Sequence, residues 1–139
     1  MKNRMILTLM VVFVAGLSAI AMATLPDEGK TAKVKWNETT HDFGKVVQNI
    51  PATATFEFTN NGESPVVITA AKASCGCTVP RYTKEPVKPG ETATVTVTYN
   101  SRKVGSFNKS VRVSFDGSQN VQVLIVKGNV EPVTEKEVQ

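Results

Sequence analysis

Chemically reactive side chains are scarce in this chain. Its 139 residues include two cysteines, one histidine and one tryptophan. No serine stands in a nucleophile-elbow context, so the neighbours His41 and Asp42 have no nucleophile to serve. A surface turn is the expectation for them. All four methionines (Met1, Met5, Met10, Met22) fall in the N-terminal stretch. Beyond it a soft metal is offered two cysteines and one histidine only, which weakens a copper reading. No cysteine precedes Cys75, so the residue that a lipoprotein anchor requires is missing. The formal charge of +4 is too mild to mark a nucleic-acid or anionic-membrane surface. After the N-terminal stretch there is no helical period, no internal repeat and no low-complexity tract. No cofactor is expected.

What is present begins with an export signature. Lys2 and Arg4 precede an apolar run from Met5 to Ala23 that ends in Ala21-Met22-Ala23, a small-x-small cleavage pattern. Residues 1–23 read as a signal peptide, with an uncleaved membrane anchor as the alternative. Cleavage removes Lys2 and Arg4 and no acid, so the charge falls from +4 to +2. The expected location is the periplasm or the extracellular space, an oxidising compartment. Residues 24–32, with Pro26 and Gly29, read as a flexible leader, and the charged residues 131–139 as a disordered tail.

Between them, residues 33–130 show period-two patterning. Ala52–Asn60 places Ala52, Ala54, Phe56 and Phe58 on one face and Thr53, Thr55, Glu57 and Thr59 on the other, the pattern of a half-buried strand. Thr92–Asn100 repeats it, with Ala93, Val95, Val97 and Tyr99 inward and a threonine stripe outward. The stripe reads as a solvated β-face; an ice- or sugar-binding face is the alternative. Lys33–Asn37, the segment from Val66, Lys109–Phe115 and Val121–Lys127 supply further strands. Val121–Lys127 is apolar more continuously, as in a central strand or one covered on both faces. Asn60-Asn61-Gly62, Pro89-Gly90-Glu91 and Asp116-Gly117 are turns. Val79–Pro86 carries two prolines and reads as an irregular connection. Gly44 predicts a bend that turns Phe43 and Val46 inward. About seven short strands at such spacing predict an all-β chain, an immunoglobulin-like β-sandwich.

Cys75-Gly76-Cys77-Thr78 stands out against this background. In a strand, both sulfurs would face one way, with Cα atoms about 6.6 Å apart. Gly76 can bend the chain and bring them closer. A bridge would close a three-residue loop and contribute only ~1.6 kcal/mol by loop entropy. The pair could therefore be passive packing thiols or a local disulfide, a redox-labile pair, or a weak thiolate site for a soft metal such as Cu(I).

The order of motifs carries a resemblance. Asp42-Phe43-Gly44 is followed by Phe56-x-Phe58-x-Asn60-x-Gly62, then Cys75-Gly76-Cys77-Thr78, Pro89-Gly90-Glu91, Gly105-x-Phe107 and Gly128. Over residues 34–130 the chain resembles the bacterial family called domain of unknown function 1573. That family is similar to the immunoglobulin-like modules of the ASH, HYDIN and major-sperm-protein type. The resemblance implies the fold and export, and gives Asp42, Phe43, Gly44, Phe56, Phe58, Asn60, Gly62, Pro89, Gly90, Gly105, Phe107 and Gly128 structural roles. It supplies no catalytic residue. The functional expectation is an exported, non-catalytic binding or scaffolding module with an unknown protein or cell-envelope partner, and no nucleic acid. Membrane contact would come only through an uncleaved signal peptide. The alternative is a thiol-redox or Cu(I)-thiolate protein using Cys75 and Cys77, in which Arg81 could lower a thiol pKa by folding back.

Overall fold

The computed structural model describes residues 32–134. The expected signal peptide, the leader up to Thr31 and residues 135–139 of the tail lie outside them. Eight strands follow one another: β1 (Val34–Trp36), β2 (Thr40–Val47), β3 (Ala52–Asn60), β4 (Ile68–Ala73), β5 (Thr78–Tyr82), β6 (Thr92–Tyr99), β7 (Gly105–Phe115) and β8 (Val121–Glu131). They form two four-stranded sheets, ordered β1-β3-β6-β5 and β2-β8-β7-β4. This is the immunoglobulin-like sandwich that the patterning predicts, with β2 and β5 added to the segments read as strands. Its limits also shift slightly. Ala32, assigned to the leader, packs against the core and donates its N–H to Ser118 Oγ at 3.3 Å. Glu131, assigned to the tail, completes β8.

β5 falls in the segment read from sequence as irregular because of Pro80 and Pro86. Its register explains how Pro80 fits. Asn100 N–H donates to the Cys77 carbonyl, and Thr83 N–H to the Thr94 carbonyl. Odd-numbered residues of β5 therefore bond to β6, and even-numbered ones turn their backbone groups to the open edge. Pro80, opposite Val97, lacks an N–H only where none is needed for the sheet.

His41 and Asp42, expected in a turn, lie in β2, which runs parallel to β8 with a bulge between Asp42 and Lys45. Gly44 takes φ +63° there, in the left-handed region that glycine enters without penalty. The bulge inserts a residue, so Phe43 and Val46 both face inward although three positions apart.

One long edge segment is shared by the two sheets. Asn37 N–H donates to the Glu57 carbonyl in one sheet, and Ile125 N–H donates to the Thr39 carbonyl in the other. The chain thus changes sheets at Glu38. β1 covers β3 only over Phe58–Asn60, and β2 covers β8 only from Ile125 onward.

The inward stripes fill the space between the sheets. Phe56, Phe58, Val95, Val97, Val111, Val113, Leu124 and Val126 have almost no exposure. Trp36 joins them from the edge, its ring 4.9 Å from that of Phe58. A smaller cluster of Val46, Tyr99, Phe107 and Val130 closes one end, with Tyr99 stacked on Phe107 at 3.9 Å. The threonines of β3 and β6 face solvent and pair across the strands, Thr53 with Thr98 and Thr59 with Thr92. β8 is central, as expected of its apolar run, but not covered on both faces: Val121 and Val123 are exposed.

Candidate functional site

The cysteines lie in the turn that carries the chain from β4 in one sheet to β5 in the other. They are not in a strand, which is why their Cα atoms are 5.3 Å apart rather than at extended-chain spacing. Cys75 and Cys77 are bridged. Gly76 at the apex is exposed, with no atom near the place a Cβ would occupy. Thr78 is buried behind the bridge, its Oγ1 3.6 Å from Cys75 Sγ and 3.9 Å from Cys77 Sγ. Cys77 packs on the Tyr99–Phe107 cluster. The bridge therefore ties an exposed apex to a buried footing. While bridged, neither sulfur offers a thiolate to a metal or a substrate.

Two neighbouring loops share this end of the sandwich. Asn49 N–H donates to the Ser101 carbonyl at 3.1 Å, and Gln48 Nε2 to the Arg102 carbonyl at 3.0 Å. The fully buried Ser101 donates its hydroxyl to the Ile50 carbonyl. Asn49 and Ser101 both take positive φ, 66° and 47°, a conformation that non-glycine residues hold only when their surroundings impose it. Gln48 N–H reaches the Glu131 carbonyl at the exit of β8. On this laced frame Ile50, Val104 and Val133 stand exposed by 58%, 44% and 48%, half of the large apolar side chains exposed among the described residues. Arg102 and Lys103 immediately precede Val104, and Lys45 pairs with Glu131 at 3.0 Å. A recess of about 450 Å³ opens beside that pair, lined by Val47 and Pro132 among others.

Most of the remaining motif residues gather at two places, one around Phe107, in the cluster on which Cys77 packs, and one at the far end of the sandwich. Asp42 Oδ1 accepts the Gly44 N–H at 2.8 Å, which sets the bulge, and its other oxygen lies 3.6 Å from Lys127 Nζ. Gly128 lies opposite Phe107. At the far end, the buried side chain of Asn60 accepts the Gly62 N–H and donates to the Ser64 and Val87 carbonyls. Gly90, at φ +82°, donates its N–H to the Asn60 carbonyl. Phe56 and Phe58 are core. Gly105, at φ +114°, opens β7.

No catalytic grouping assembles from these parts. His41 Nδ1 meets Glu38 Oε1 at 3.0 Å, while Asp42 serves Gly44 and Lys127. Arg81 is exposed in β5 opposite Thr96 and enters no ion pair among the described residues. Sequence reasoning missed the loop residues Ile50, Ser101, Arg102 and Val104. Their one signal was the polar run Asn100-Ser101-Arg102-Lys103 between two alternating strands.

Residues 34–130 match the model of a family described as protein of unknown function (DUF1573). The chain belongs to this family. No curated protein matches it. Among solved structures, a protein of unknown function from Porphyromonas gingivalis W83 superposes with a TM-score of 0.62 at 15% identity, over 73% of this chain and 48% of that one. The seventh PapD-like (ASH) domain of human CEP192 superposes with a TM-score of 0.57 at 11% identity, over 84% of this chain and 98% of that one. The secreted serine protease VesC from Vibrio cholerae gives 0.57 at 12%, over 78% of this chain and 25% of that one. At these identities the likeness is one of fold alone, that of an immunoglobulin-like sandwich. The chain spans half or less of the length of the P. gingivalis and V. cholerae proteins.

Proposed function

We propose that this DUF1573 chain is an exported, non-catalytic binding or scaffolding module that engages a protein of the cell envelope through its disulfide-bearing end. One observation carries the reading: Ile50 and Val104 stand exposed on two loops tied to each other through Ser101 and Gln48, with Val133 exposed just past the exit of β8. Exposed apolar side chains on a rigid frame can contact a partner at little ordering cost. Loops on a rigid sandwich are where such modules place recognition. The basic residues Arg102 and Lys103 beside them would favour an acidic rim on the partner.

The test is to identify what co-purifies with the native protein, reconstitute the pair, and measure affinity for Ile50→Asp and Val104→Asp variants of unchanged melting temperature. A loss of about tenfold or more in each is expected. Unchanged affinity, or steady turnover of a substrate by the purified protein, would overturn the reading.

A second reading keeps the cysteines as a redox element. It is favoured by the position of the bridge, in a turn with an exposed apex and only partly buried sulfurs. Closing a three-residue loop contributes just ~1.6 kcal/mol, so opening it would leave the fold standing. A reduced pair would present two thiolates, enough to hold Cu(I). Intact mass of protein taken from its native compartment, before and after mild reductant, decides this. Thiols that are free, unreactive and metal-free there would end it.

A further inference from the structure

The turn that carries Cys75 and Cys77 is held by more than its bridge. At its entry, Ser74 N–H donates to the Ser110 carbonyl, and Ser110 N–H donates to Ser74 Oγ at 3.2 Å. At its exit, Asn100 N–H donates to the Cys77 carbonyl. Within it, Thr78 N–H donates to the Cys75 carbonyl at 3.4 Å. None of these bonds passes through a sulfur. With the bridge open they would still hold the two residues as neighbours, their Cα atoms now 5.3 Å apart. The pair is therefore built to open and close again without rearranging the turn.

The two sulfurs differ in their surroundings. Cys77 packs on the cluster of Val46, Tyr99, Phe107 and Val130, whereas Cys75 packs on neither core cluster. Cys75 Sγ is thus the sulfur open to an incoming nucleophile, and Cys77 Sγ the one that would leave. A thiolate leaving among apolar side chains needs a donor or a cation, since burial disfavours the charged form. Both are in place. Thr78 is 3% exposed. Among the described residues its hydroxyl meets only the two sulfurs, at 3.6 Å from Cys75 and 3.9 Å from Cys77. Such a hydroxyl bonds weakly to a disulfide and strongly to a thiolate. The cation is Lys109. Ala73 lies opposite Val111, and Ser74 bonds to Ser110. The same register carries Cys75 to the place opposite Lys109, where cross-strand Cβ atoms stand about 5 Å apart. Lys109 has the inward parity of Phe107 and Val111, is half-buried, and enters no ion pair among the described residues.

We infer that the bridge is a disulfide donor to a protein dithiol, with Thr78 and Lys109 as the positioning residues that stabilise the departing thiolate. This rests on the redox reading above and gives it a direction and a substrate class. One thiolate of the substrate attacks Cys75 Sγ. The Cys75–Cys77 bond breaks, and its electron pair leaves on Cys77 Sγ beside the Thr78 hydroxyl. The second substrate thiolate then attacks the substrate sulfur of the mixed disulfide and releases Cys75 as a thiolate. Two substrate thiols become one disulfide and give up two electrons, which the two cysteines take. The protons lost by the substrate pass through water to the cysteines, and no further reagent enters. Groups that favour the reduced pair make the bridged form the stronger oxidant.

The probe is a blocked peptide with two reduced cysteines, mixed in equimolar amount with the folded, bridged protein under argon and followed by intact mass after acid quenching. The protein should gain two hydrogens and the peptide should lose two. A peptide with one cysteine, in excess and quenched early, should be found as a mixed disulfide on Cys75. Thr78→Val should slow the exchange about tenfold, and Thr78→Ser should restore it. Lys109→Met should slow it about threefold, and Lys109→Arg should not. Rates are compared where every variant keeps the far-ultraviolet spectrum of the parent. A parental rate in Thr78→Val or Lys109→Met, an equal loss in Thr78→Ser, or a peptide mapped to Cys77 would overturn the inference and leave a redox-labile bridge standing. A bridge that the dithiol peptide leaves untouched would end both.

Discussion

The Asn60 side chain, fully buried, donates to the Val87 carbonyl at 2.9 Å from between three turns. It also holds Ser64 and Gly62, and its backbone receives Gly90 and reaches Glu91. One side chain thus gathers the ends of β3, of the segment before β4 and of the segment before β6.

Asn60→Ala should therefore destabilise the protein by about 2 kcal/mol, since a buried bonding site is emptied while its partners stay behind. Asn60→Asp should be no better, because a carboxylate cannot donate to the two carbonyls. Urea unfolding at neutral pH checks both, and the melting temperature should drop by roughly 10 °C. A shift of only a degree or two would mean that the turns hold themselves.

Gly128 supports a second prediction. A Cβ there would come within 2.9 Å of the Gly44 carbonyl and 3.0 Å of two Phe107 ring atoms. Gly128→Ala should cost about 1–3 kcal/mol as an overpacking change. Phe107→Leu in the same protein should return part of this loss, because the ring can be removed and the carbonyl cannot. A double-mutant cycle reads the coupling; strict additivity would show that the ring is not the obstacle.

Much of this architecture was legible because β3, β6 and the second half of β7 alternate without interruption, and period two translates directly into an inward face. What failed to read failed for stated reasons. The β2 bulge spoils the alternation around Gly44, so His41 and Asp42 looked like a turn. Pro80 argues against a strand only when the edge-facing parity is unknown, and parity depends on the partner strand. The sheet change at Glu38 has no local signature, because Asn37 and Thr39 are distinguished only by which sheet they bond. The apolar run of β8 fits a central strand or one covered on both faces; β8 is central, and Val121 and Val123 are exposed on the outer face of the sheet. Of the disulfide end, the cysteines were visible in sequence, whereas Ile50 and Val104 are brought near them only by the fold.

The bridge itself should matter little for stability. Cys75 and Cys77 enclose one residue, and the loop-entropy estimate for so small a ring is ~1.6 kcal/mol. Reductant, or the double change Cys75→Ala with Cys77→Ala, should leave a folded sandwich that unfolds at modestly lower denaturant. A far-ultraviolet spectrum and an unfolding curve with and without reductant test this. Collapse on reduction would contradict the view that the core of Phe56, Phe58, Val95, Val97, Val113 and Leu124 sustains the fold.

Pro80 should act on association rather than on stability. Even-numbered residues of β5 face the open edge, and the N–H of Thr78 is already turned to the Cys75 carbonyl. In Pro80→Val, the new N–H would point outward and break no bond to β6. The new side chain would face the core side with Thr78 and Tyr82, as the proline does. Monomer stability should move by no more than about 0.5 kcal/mol. The edge, however, would gain a continuous row of donors and acceptors, the condition under which strands recruit other chains. Sedimentation velocity over a concentration series should then show self-association in the variant at concentrations where the parent is monomeric. If the variant instead unfolds more easily by a kilocalorie or more and does not associate, residue 80 faces β6. The register would then be one residue off, and Thr78 and Tyr82 would bond to β6 in place of Val79 and Arg81.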